Sequence, residues 1–98
     1  PHFFFYVPRG TRLIGGFSGA VTGVMLDPDG GEAFTWDGSR RYFSVPVPDG
    51  MDGRLWSFRA NVHKHQLMLM TVPPFIARNA AELLLPREVV EADTPTGR

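Results

Sequence analysis

Five residues gather around one turn: Trp36, Asp37, Arg40, Arg41 and Tyr42. An exposed Trp or Tyr ring is a flat apolar face on which a sugar ring can stack. Arginine and aspartate beside it supply donors and acceptors for hydroxyls. Trp36 and Tyr42 flank Asp37-Gly38-Ser39, with Arg40 and Arg41 between them. The grouping predicts a glycan site. The competing expectation is core packing, because large aromatics dominate small β cores. Trp56 belongs to that core, since it shares strand parity with Phe58, Ala60 and Val62.

Other chemistries are less well served. A glycosidase needs two carboxylates facing each other across a cleft. Asp27, Asp29, Asp37, Asp49 and Asp52 all lie near glycines in turn sequences, where Asp bonds local backbone. Asp27-Pro28-Asp29-Gly30 has the oxygen density of a calcium loop but not the EF-hand spacing, and Pro28 restricts it. A structural turn is expected there. His63 and His65 are two apart and would face one side of a strand, a geometry open to copper or zinc with His2 and a methionine, Met68 or Met70, nearby. Solvated loop histidines are the simpler expectation. Ser18, Ser39, Ser44 and Ser57 fit no nucleophile-elbow sequence. Gly15-Gly16-Phe17-Ser18-Gly19 lacks the lysine of a phosphate loop. No catalytic residue, resident metal or cofactor is expected.

The elements that must position these residues are short strands. His2–Val7 is an aromatic run expected to form a central strand buried on both faces. Pro8-Arg9-Gly10-Thr11 turns the chain. Arg12–Ser18 follows, with Leu13 and Phe17 on one parity and a bulge or close approach expected at Gly15 and Gly16. Ala20–Leu26 and Glu32–Trp36 flank the hairpin turn Asp27-Pro28-Asp29-Gly30-Gly31. Arg41–Val47 carries Pro46, which predicts an edge strand or bulge. Gly53 opens the Trp56 strand. Asn61–Lys64 reads as a turn and His65–Thr71 as a strand, with Met68 and Met70 on one parity and Leu67 and Leu69 on the other. Val72–Phe75 is expected to be extended and to continue as a short strand. Asn79-Ala80-Ala81-Glu82 fits a capping box for a short helix ending before Pro86.

The predicted architecture is therefore all-β: a single antiparallel β-sandwich of jelly-roll type, about seven to eight short strands plus one short C-terminal helix. It spans residues 1–90, with 91–98 as linker or tail. Ten basic and ten acidic residues cancel, so no electrostatic case arises for nucleic acid or an anionic membrane. With no cysteine, disulfides and thiolate metal sites are excluded. No apolar run has the length of a membrane span. The chain opens on Pro1, as expected of a processed piece or excised domain.

Phe3-Phe4-Phe5-Tyr6-Val7-Pro8-Arg9-Gly10-Thr11 resembles the first strand and turn of β-sandwich accessory domains in large secreted bacterial hydrolases and peptidases. Leu26-Asp27-Pro28-Asp29-Gly30, Val45-Pro46-Val47-Pro48-Asp49-Gly50 and Asp52-Gly53-Arg54-Leu55-Trp56-Ser57 extend the likeness. The pattern is similar to the bacterial pre-peptidase C-terminal type of domain and its jelly-roll relatives. The resemblance implies a non-catalytic accessory module of an exported bacterial protein, secreted or in the cell envelope. Its partner would be a polysaccharide or a neighbouring domain of the same polypeptide. It carries no functional residue across, because the matching positions are structural.

Overall fold

The computed structural model describes residues 2–61, 66–74 and 76–78. Among these residues eight strands form: β1 (His2–Val7), β2 (Leu13–Ser18), β3 (Thr22–Leu26), β4 (Glu32–Asp37), β5 (Arg41–Pro46), β6 (Arg54–Asn61), β7 (Leu67–Leu69) and β8 (Ile76–Ala77). They make two antiparallel sheets, one ordered β4-β3-β6-β1-β8 and the other β5-β2-β7. No helix forms among the described residues. The expected helix from Asn79 and the tail at 91–98 lie outside them.

Alternation explains the core. β6 turns Trp56, Phe58 and Ala60 inward, and Arg59 and Asn61 outward. From the smaller sheet Ile14, Phe43, Val45 and Leu69 meet Phe5, Val7, Met25, Trp36, Trp56 and Phe58 of the larger one in one cluster. Trp56 is 1 % exposed, and its indole N–H donates to the Met51 carbonyl at 2.8 Å. The loop before β6 thus supplies the partner that a buried indole requires.

The turns behave as the aspartates predict. Asp27 Oδ1 accepts the Asp29 and Gly31 amides, both at 2.9 Å, across the β3–β4 hairpin, where Gly30 takes φ +90°. Asp52 Oδ2 accepts the Gly10 amide at 2.6 Å, tying the loop before β6 to the turn after β1. That bond, with the Asp52 backbone amide and the nearby Arg9 and Arg12 charges, holds the carboxyl below its ordinary range. β5 is the edge strand that Pro46 predicts, paired only to β2 among the described residues.

Two expectations change. β1 is central, between β6 and β8, but only one of its faces packs into the core. Phe5 and Val7 point into the core, whereas Phe4 and Tyr6 on the other face remain partly exposed. β7 is shorter than His65–Thr71; Met70 and Thr71 beyond it still bond Gly15 and Leu13. The short strand expected to continue from the extended Val72–Phe75 segment is β8, at Ile76–Ala77; Pro73 and Pro74 before it have no amide hydrogen to give a ladder.

Candidate functional site

The connection Gly38-Ser39-Arg40 does not close a hairpin. β4 belongs to the larger sheet and β5 to the smaller, so the turn carries the chain from one to the other. The five residues predicted as a glycan site are split by that crossing. Trp36 is 3 % exposed. Its ring stands among Phe34, Phe43 and Phe58, with centroids 5.5, 5.5 and 5.7 Å away. The Trp36 face is therefore filled by other rings and cannot receive a sugar, which corrects its assignment as a stacking platform. Its indole Nε1 is buried without a hydrogen-bond partner.

Asp37 is exposed but engaged. Its Oδ1 accepts the Ser39 hydroxyl at 2.6 Å and the Ser39 amide at 3.0 Å. These bonds, the hydroxyl's first, hold its carboxyl below the ordinary range. Arg41 points to the core side of β5, where its guanidinium lies 5.4 Å from the centre of the Phe34 ring. Tyr42, one position later, points outward and is 72 % exposed. Arg40 joins it there, with its guanidinium 5.8 Å from the centre of Phe17. Of the five predicted residues, Tyr42 and Arg40 thus remain together on the outer face of the smaller sheet.

That face contains more than the sequence reading assigned to it. In register, Phe17 of β2 pairs with Tyr42 of β5 on one side and Met68 of β7 on the other. The Phe17 and Tyr42 rings meet edge-on, 5.0 Å between centres at 66°. Phe17, Tyr42, Met68 and Met70 line a shallow groove of about 190 Å³. Thr71, next to Met70, ties the chain beyond β7 to β2: its hydroxyl accepts the Gly15 amide at 2.7 Å and donates to the Leu13 carbonyl at 2.8 Å. The shared parity of Leu13 with Phe17, and of Met68 with Met70, was visible in the sequence. Which parity faces solvent was not.

His63 and His65 lie outside the described residues. His2 stacks on Phe4 at 4.6 Å, and its Nε2 is buried without a partner. Burial, helped by the Arg59 charge, lowers its pKa. Among the described residues no three His, Cys, Asp or Glu side chains converge on a metal-sized space. No family model matches the chain, and no curated protein or solved structure matches it.

Proposed function

We propose that the chain is a non-catalytic accessory module of a larger exported bacterial protein, and that it docks against an adjoining domain through the outer face of its β5-β2-β7 sheet. One observation carries this reading. Five large hydrophobic side chains are exposed among the described residues, and four of them, Leu13, Tyr42, Met68 and Met70, lie on that face. They come from all three strands or the residue just beyond β7, so they form a surface and not a single protruding loop. Exposed contiguous apolar surface marks an interaction site. Tyr, Phe, Met and Arg are also the side chains enriched where proteins meet proteins.

The occupant's chemistry follows from the edge of the patch. Arg40 has no carboxylate partner among the described residues; the ion pair found there joins Arg54, at the start of β6, to Asp29 in the β3–β4 turn at 2.9 Å. A complementary domain would present an apolar centre with a carboxylate placed over Phe17 to meet Arg40. The non-catalytic part of the reading rests on the carboxylates. Asp27 and Asp37 hold their own turns, Asp52 ties its loop to the turn after β1, and Asp29 is paired.

The jelly-roll form of the sandwich is supported by three antiparallel pairs, β1 with β8, β2 with β7 and β3 with β6. The fourth pair of such a roll would join β4 to β5; here β4 pairs with β3. Glycan binding stays as a second reading because Tyr42 is exposed beside Arg40. Replacing Tyr42 with a photo-crosslinking benzophenone residue in the producing cells separates the two. A cross-link within the same polypeptide is the expected outcome. Attachment to polysaccharide, or no adduct at all, would remove the docking reading.

A further inference from the structure

The four methionines of the chain occupy unlike surroundings. Met25 is fully buried in the core. Met51 is partly covered, and its sulfur lies 3.7 Å from an Arg54 guanidinium nitrogen. Met68 and Met70 are 59 % and 58 % exposed. They are two positions apart, so both thioethers stand on the same side of the chain. Both line the groove with Phe17 and Tyr42, at the edge of a three-stranded sheet.

We propose that Met68 and Met70 are a paired oxidation site, and that forming their sulfoxides switches off the docking face; this rests on the docking reading above. The oxidant is a hydroperoxide. A thioether sulfur attacks the peroxide oxygen that becomes the sulfoxide, an S–O bond forms and the O–O bond breaks. Sulfur loses two electrons, and the peroxide, reduced by two, departs as water or an alcohol after a proton shift. Accessibility selects the sulfur, and these two are the open ones.

The consequence follows from polarity. A thioether is a soft apolar filler that adapts to a partner's surface. A sulfoxide carries a strong acceptor oxygen, which is costly to bury without a donor. Two such groups along one groove turn an apolar surface into a polar one, while the strand ladder beneath stays unchanged. Arg40 would favour the oxidised, undocked state. It sits over Phe17, the register partner of Met68, and offers guanidinium donors at the same ring. Sulfoxide reductases reverse the modification, so the device resets.

The test uses the chain itself, hydrogen peroxide and a phenyl-substituted resin as the apolar probe. Peptide mass spectrometry over a peroxide time course should find Met68 and Met70 oxidised at least ~10-fold faster than Met25, as access to sulfur requires. Retention on the resin should fall with their oxidation, with unchanged circular dichroism, and return after reductase treatment. The double variant Met68→Leu/Met70→Leu should be retained before and after peroxide alike. Oxidation of Met25 or Met51 at the same rate, or full retention of the doubly oxidised protein, would overturn the proposal. The docking reading fails separately, by loss of the position-42 cross-link, since an unoxidised face is all that it needs.

Discussion

Trp36 and Phe43 meet at right angles across the two sheets, ring centres 5.5 Å apart. Phe58 closes on Trp36 from the neighbourhood of the sheet's central strands, and Phe34 stacks on Phe43 at 5.5 Å. This aromatic cluster joins the sheets just below the crossing from β4 to β5. Trp36→Ala should therefore cost about 3–5 kcal/mol, the range for removing a buried large aromatic. Urea unfolding would measure it. An exposed platform would behave oppositely, with stability nearly unchanged.

Gly16 occupies the inward parity of β2, opposite Phe43. A Cβ there would fall 2.7 Å from the Phe43 ring and closer still to the Met68 backbone carbonyl. The ring could rotate away, but the carbonyl belongs to the β2–β7 ladder and cannot move without loosening it. Gly16→Ala should destabilise by about 1–3 kcal/mol, as overpacking does. It should also raise hydrogen exchange in β7 more than in β5. Uniform exchange across the sheet would contradict the assigned contact.

Asp52 links pH to stability. Its carboxyl lies below the ordinary value because the charged form accepts the Gly10 amide. A depressed folded pKa gives stabilisation that is complete above the unfolded pKa and disappears as pH falls through the folded one. Wild-type stability should therefore decline below about pH 4, the unfolded carboxyl range. Asp52→Asn should show a shallower decline there and lower stability at pH 7, by urea midpoints at each pH. Parallel curves for the two proteins would remove Asp52 from the acid limb.

Among the described residues Tyr42 makes its aromatic ring contact with Phe17, and it is 72 % exposed. Tyr42→Ala should change stability by no more than ~1 kcal/mol, within the range of an exposed cross-strand pair. Retention on the phenyl resin should nevertheless drop. A loss of several kcal/mol would mean that Tyr42 supports the fold and does not serve the surface.

Most strand positions were readable from local rules. Glycine and aspartate marked the turns, Pro46 marked an edge, and parity assigned Trp56, Phe58 and Ala60 to one face. The candidate site was less readable. Trp36 and Tyr42 are six positions apart with a turn between them, so the sequence suggested one cluster. Tertiary structure put β4 and β5 in different sheets, which buried the first ring and exposed the second.

The sequence alone determined where most of the strands lie, and which side chains share a side of each strand. Backbone chemistry and the two-residue period of a strand act within a few residues, so both can be read locally. Only tertiary structure decided which side faces water. That choice depends on which strands pair and what the second sheet covers, through contacts as remote as Gly15 with Thr71 and Phe17 with Met68. Leu13 and Phe17, which share a parity in the sequence, lie with Met68 and Met70 on the open face where the function is proposed.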